Sequence, residues 1–527
     1  MRTFVRLALA GSACLALSGV LIAQSGADRI RPEALRAHLW FLADDLLEGR
    51  NTGTRGYDIA AQYVAAQFAA YGLRPAGGDG TYFQSVPIRR AEIVESTVSL
   101  AGPAGTTALA SPKDYVVRPD VRRDTLSASG PVVFVGYGIS APEYELDEYG
   151  GIDVRGKIVA FLRSGGESLP PTARAIHSSV ATKLEVAAAR GAVGAFYVIQ
   201  PTFPMPTNER FDWVDTAGGD SGAPASLGPV VTITEAAAAP FFRSVGSVDE
   251  IKARLKAGTL RAFDTKVTAT ITATGRSAAL RTANVVGLLE GSDPVRAREH
   301  VVYTSHLDHV GIGTPVNGDA IYNGAIDNAS GIATMLEVTR AQSARPRRPR
   351  SVLFVAVTGE ERGLLGSDYF ARHPTVPPAS LFANVNSDGS NMLIPAIKDF
   401  VAYGAPESRG MEAIVAEVAA TLRLKVSPDP VPEETYFVRS DQFSFVKQGL
   451  AALFIMPGLD SREAMARFNK ERYHKPADDL TQPFHFEAGA TWATIQLEVL
   501  DRLLTTSSRP GLNPDDFLGR RYPRTKG

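Results

Sequence analysis

The sequence predicts an α/β fold: a mixed, mostly parallel central sheet covered by helices on both faces, with a β-rich region inserted into it. Three observations predict this. From Asn284 onward, short apolar runs alternate with helical stretches, the pattern of strands buried on both faces by crossover helices. Several of those runs end directly in polar, ligand-type residues, and in open α/β sheets the ligand crevice lies outside the carboxyl ends of the strands. From 101 to 280 the chain changes to short strands and turns, as an insertion at a surface loop does.

At 527 residues the chain is long enough for two or more domains. No internal repeat is evident. The formal net charge of −1 makes no bulk electrostatic case for nucleic acid or an anionic membrane. Residues 1–27 read as a signal peptide: Arg2 and Arg6 precede an apolar run, and Ser25-Gly26-Ala27 offers a small-residue cleavage site. This predicts export to a periplasmic or extracellular setting. Gly11-Ser12-Ala13-Cys14 has the outline of a lipoprotein cleavage box, so a lipid anchor is the alternative. No other stretch approaches the ~20 apolar residues that span a bilayer. Cys14 is the one cysteine. A chain cleaved after Ala27 therefore has no disulfide, no thiolate ligand and no cysteine nucleophile.

In order, Pro32 to Leu47 has helical spacing at Leu35, Leu39, Leu42 and Leu46, with Pro32 placed at a helix start. Gly49 to Thr54 breaks it, and a second helix covers Tyr57 to Tyr71. Within 101–280, a strand and turn are expected at Val132–Gly138 and another at Asp153–Leu162, strands at Ala195–Ile199 and Val267–Thr274, a helix at Lys183–Arg190, and a long loop at Pro201–Ser226. The sheet domain comprises 28–100 and 281–510. Its strands are expected at Asn284–Leu289, Val301–Thr304, Val352–Val357, Phe382–Asn386 and Ala452–Met456. Helices are expected from Ser330, acting as N-cap, to Gln342, and at Leu364–His373, Gly410–Leu422 and Glu487–Leu504. Arg345 to Arg350 reads as a solvated basic turn, and 511–527 as a C-terminal tail.

Five stretches carry the chemistry: Thr304 to His309, Asn323 to Gly331, Thr358 to Gly363, Asn386 to Gly389, and Tyr473-His474. Together they supply His306, Asp327, Glu360, Glu361, Asp388 and His474, a nitrogen and oxygen set suited to zinc or a similar divalent ion. Asp308 can hold the His306 imidazole by its other nitrogen, and Asp478 is placed to do the same for His474. His309 reads as a polar neighbour. Glu360 and Glu361 are adjacent carboxylates that repel. A site keeps both if one binds metal and the other carries a proton.

These stretches resemble the zinc aminopeptidases of the aminopeptidase Y, aminopeptidase S and glutamate carboxypeptidase II superfamily. The likeness extends to Ser440-Asp441-Gln442-Phe443, to Gly49-Arg50 and to Gly72-Leu73-Arg74-Pro75. Val135 to Gly138 and Asp153 to Val159 resemble a protease-associated domain, which would occupy 101–280. The resemblance implies two zinc ions per chain, one on His306 and Asp388, the other on Glu361 and His474, with Asp327 bridging and Glu360 as general base. It also implies a cis bond after Asp327. Tyr473 is placed to donate to a developing oxyanion. The expected activity is removal of N-terminal residues from peptide substrates. A carboxypeptidase, a one-metal glutaminyl cyclase, or a receptor-like relative that only binds are the alternatives. Gln442 stands where relatives often have His, and Ile326 where many have an acid, which bears on substrate preference.

Overall fold

The computed structural model describes residues 28–216, 227–389 and 392–524. The leader with Cys14, and residues 217–226 of the expected loop, lie outside the described residues. The chain divides into two compact units: the described parts of Met1–Ser85, Ala283–Pro430 and Ser440–Gly527, and those of Val86–Thr282 with Val431–Arg439.

The first unit contains α1 (Pro32–Leu42), α2 (Arg55–Ala70), β1 (Ala283–Leu289), β2 (His300–His306), α3 (Ser330–Ala344), β3 (Ser351–Val357), α4 (Leu365–Arg372), β4 (Leu381–Asn386), β5 (Asp399–Tyr403), α5 (Met411–Leu422), β6 (Ala452–Pro457), α6 (Arg462–Glu471) and α7 (Phe486–Thr505). The sheet runs Arg74–Pro75, β1, β3, β2, β4, β6, β5, Lys425–Val426, with Phe83–Ser85 also on β1. β3, β2, β4 and β6 are parallel. β1 and β5 run antiparallel to β3 and β6, so the sheet is mixed. Successive strand side chains point to opposite faces. Val352, Phe354 and Ala356 of β3 enter one core with Leu39, Val64, Leu336, Val415 and Leu500 from five helices. Leu353, Val355 and Val357 enter the other with Phe370 of α4 and Phe445. Both faces are thus covered, which is why the strands read as continuous apolar runs.

Several expectations are corrected. The first helix ends at Leu42, because the Asp44 side chain accepts from Leu46 N at 2.9 Å and starts a tighter turn, Asp45–Arg50. Leu46 is consequently 83% exposed instead of extending the apolar stripe. Ser330 is not an N-cap. A helical turn at Ala325–Ala329 leads into α3, so Ser330 lies already inside it and its hydroxyl donates back to Ile326 O at 2.8 Å. The basic turn is not merely solvated. Arg345 meets Glu498 at 2.6 Å, Arg348 meets Asp501 at 2.6 Å, and Arg350, buried, meets Glu299 at 2.7 Å and stacks on Phe382. Carboxylates distant in sequence provide that pairing. Residues 511–524 include a short strand paired with Ser408–Arg409, and a helix, Phe517–Arg521.

The second unit has its own sheet, in the order Glu209–Trp213, Ile88–Gly102, Phe263–Ala279, Thr125–Phe134, Ile158–Leu162, Gly194–Ile199, Val230–Thr234, Tyr115–Val117. The expected loop at Pro201–Ser226 therefore holds a strand. Its side chains gain a partner only through pairing with Ile88–Glu92, more than a hundred residues away. Val132 and Phe134 face one core, Val133 and Val135 the other. Helices Val180–Ala189 and Val248–Lys256 each pack on one of these cores. Among the described residues, no helix is long and apolar enough to cross a membrane.

Candidate metal centre

β3, β2 and β4 are parallel neighbours, with His306 opposite Val357 and Thr304 opposite Asn386. Their carboxyl ends therefore deliver His306, Glu360-Glu361 and Asp388 to one place. Asp327 arrives from the turn that opens α3, and His474 from the chain just after α6. The Asp327–Asn328 peptide is cis.

The structure brings together all five residues expected as ligands, in two groups sharing Asp327. His306 Nε2 lies 3.1 Å from Asp388 Oδ1 and 3.2 Å from Asp327 Oδ1. His474 Nε2 lies 3.1 Å from Asp327 Oδ2 and 3.0 Å from Glu361 Oε2. One Asp327 oxygen thus faces each group. Tetrahedral zinc with bonds of ~2.0–2.1 Å sets neighbouring ligand atoms about 3.3 Å apart. The observed spacings fit one such ion per group. His309 joins the second group: its Nδ1 is 2.6 Å from Glu361 Oε1 and 3.9 Å from Asp327 Oδ2. It meets the Glu361 oxygen that His474 does not, which suits a hydrogen bond orienting Glu361.

The supports differ from those the spacing suggested. The main-chain oxygen of Asp308, not its carboxylate, faces His306 Nδ1 at 3.1 Å. The carboxylate accepts the N–H groups of Glu360 and Glu361 at 3.1 and 3.3 Å. Two main-chain donors at the β3 end satisfy both its oxygens, which one imidazole does not. Asp478 likewise does not reach His474. It accepts from Ile326 N and Asp327 N, each at 3.0 Å, and from Gln482 at 2.6 Å. Two supports were missed entirely. Ser440 Oγ donates to Asp388 Oδ2 at 2.6 Å, leaving Oδ1 for His306. Asn328 Nδ2 meets Ser305 Oγ, His306 O and Ser387 O at 3.1, 3.1 and 3.3 Å, while its Oδ1 accepts from Gly389 N at 2.7 Å. That one amide joins the ends of β2 and β4 to the start of α3. The only sequence signal for it was its place beside Asp327.

Burial pushes the Asp327 carboxyl up, but His306 and His474 outweigh it and hold it well below the usual range. Burial and Asp327 push Glu361 up, and His309 and His474 pull it down to about 2. Glu360 goes the other way. Burial carries it well above the usual range against the pull of His306, and Glu361, Asp388 and Asp441 add to the rise. Glu360 belongs to neither ligand group, so two consecutive carboxylates have opposite proton preferences. The half-exposed Tyr473 stacks on His474, with centroids 3.9 Å apart. Burial raises its pKa, helped by Asp327 and Glu361, so the hydroxyl keeps its proton and stays a donor.

This sheet, with candidate ligand residues at its strand ends, has the fold of a solved aminopeptidase. The aminopeptidase from Aneurinibacillus sp. strain AM-1 superposes with a TM-score of 0.54 at 21% identity, covering 93% of this chain and 98% of that one. Residues 284–499 match the model of peptidase family M28. A probable zinc metalloprotease from Pyricularia oryzae is 37% identical over 94 residues, 18% of each chain. A vacuolar membrane protease from Yarrowia lipolytica is 32% identical over 108 residues, 20% of this chain and 10% of that protein. The chain thus spans under a fifth of the length of these two relatives.

Proposed function

We propose that the protein is a two-zinc aminopeptidase that removes N-terminal residues from peptides. The observation that carries this is Asp327, whose two oxygens face two ligand groups while Glu360 stands outside both. Zinc bound there would lower the pKa of a water and polarise the scissile carbonyl. His306 and Asp388 hold the first ion, and Glu361 and His474 the second. Glu360 takes the proton of the attacking water and returns it to the leaving amine. Tyr473 donates to the oxyanion. The leader supports action outside the cytoplasm. The separate sheet and cores of the second unit support reading it as the inserted protease-associated domain.

The test combines metal content with a substrate panel. Two zinc ions per chain, with cleavage of free aminoacyl reporters and none of N-blocked or C-terminal substrates, is the expected result. One ion with cyclisation of N-terminal glutamine would make it a cyclase. Cleavage from the C-terminus would make it a carboxypeptidase, and no metal and no turnover a binding protein.

A further inference from the structure

Gly49-Arg50 lies at the end of the turn after α1, far in sequence from every ligand residue. Arg50 is 1% exposed, yet its partners are carbonyls. Nε donates to Leu307 O at 3.0 Å, Nη1 to Asn323 O at 2.7 Å and to Leu42 O, and Nη2 to Gly324 O at 3.1 Å. In return, its own carbonyl accepts from His309 N at 3.3 Å. Gly49 makes the approach feasible. It has φ +66°, and a Cβ there would lie 2.2 Å from Tyr322 O.

These partners are not arbitrary. Leu307 follows His306, and Asn323 and Gly324 precede Asp327 by four and three residues. One planar guanidinium therefore fixes the segment carrying the first histidine against the turn carrying the shared aspartate. A buried cation is expensive, and apolar packing commonly stabilises a core as well or better. Its retention points to a task other than holding the fold. Lysine cannot do that task, because the fork's several N–H groups at fixed angles are what match separate carbonyls. The positive charge also acts on Asp327, Asp308, Asp478 and Glu361, the ligands and their supports.

We propose that Arg50 is a positioning residue of the metal centre: it sets the distance between His306 and Asp327 and so the zinc affinity of the site. This rests on the two-zinc reading above. The test uses the full chain and two variants, Arg50→Lys, which keeps the charge and loses the fork, and Arg50→Gln, which loses both. Zinc affinity is measured by competition with a chelating dye, and melting is followed with chelator and with saturating zinc. Arg50→Lys is expected to lose at least ~10-fold in zinc affinity, the low end for residues that orient ligands, with Arg50→Gln losing more. The rise in melting temperature on adding zinc should shrink in both, because that rise reports affinity. An Arg50→Lys protein that melts lower in chelator but binds zinc as the wild type does would make Arg50 structural and overturn the proposal. If Arg50→Lys does not fold, Gly49→Ala takes its place. A Cβ there would lie 2.2 Å from Tyr322 O, which displaces Arg50 from its carbonyls while keeping the charge, and wild-type affinity there overturns the proposal equally. A wild-type chain that binds no zinc refutes the two-zinc reading itself, and this inference with it.

Discussion

Glu360→Gln and Glu361→Gln change neighbouring residues by one atom each, yet the structure separates their effects. Glu361 supplies one oxygen 3.0 Å from His474 Nε2 and the other 2.6 Å from His309 Nδ1. Amidation removes the charge and turns one of those acceptors into a donor. Replacing groups that merely orient a ligand costs 10–100-fold in metal affinity, so loss of the ligand itself should cost at least ~100-fold. Glu360 belongs to neither candidate ligand group, and its amide keeps the shape. Zinc content should therefore stay near wild type. General-base catalysis contributes ~10²–10⁴-fold, which is about 2.7–5.4 kcal/mol of barrier at 1.36 kcal/mol per decade. We expect kcat on an aminoacyl reporter to fall at least ~100-fold in Glu360→Gln with KM little changed. Elemental analysis and steady-state kinetics on both variants give the answer. Full turnover by Glu360→Gln refutes the mechanism. Zinc lost from Glu360→Gln and kept by Glu361→Gln means the two roles are reversed.

Asp478→Asn keeps shape but removes the anion that receives Ile326 N and Asp327 N; zinc affinity should drop ~10–100-fold with melting in chelator little changed. Leu42→Ala should cost ~2–5 kcal/mol by leaving a cavity, and Leu46→Ala, at an 83% exposed position, under ~0.5 kcal/mol; equal losses in denaturant titrations would put the helix end in the wrong place. His38 is 6% exposed, and burial lowers its imidazole from 6.5 to about 4. The unfolded chain takes up that proton first, so His38 contributes stability above pH 6.5 that is lost as pH falls toward 4, about 3 kcal/mol in all. His38→Gln should flatten the urea-derived stability over that window by this amount, measured with chelator throughout, and an unchanged slope would show that His38 does not carry it.

Much of the first unit was legible locally. Each parallel strand is largely apolar because both faces are covered, and each crossover helix carries its own period. The candidate ligand residues were legible because few side-chain types bind divalent ions, and His306, Glu361 and Asp388 stand at or just past the ends of those strands. Their supports were not. Asp308 and Asp478 look, by spacing, like partners of the nearest histidines. In the fold, each carboxylate is taken by main-chain N–H groups of a turn distant in sequence, where two donors are available. Arg345, Arg348 and Arg350 look like a solvated run until Glu498, Asp501 and Glu299 come alongside.

The amino-acid pattern placed most strands and helices of the first unit and marked the candidate ligand and proton-transfer residues. Periodicity and side-chain chemistry are local properties, written wherever the residue is. The tertiary structure alone decided which atom holds which: Ser440 on Asp388, Asn328 across three segments, Arg50 on the carbonyls before Asp327. It also turned Leu46 out to solvent and gathered Val431–Arg439 with the second unit. Hydrogen bonds and burial depend on what the folded chain brings within about 3 Å, and no spacing along the sequence records that distance.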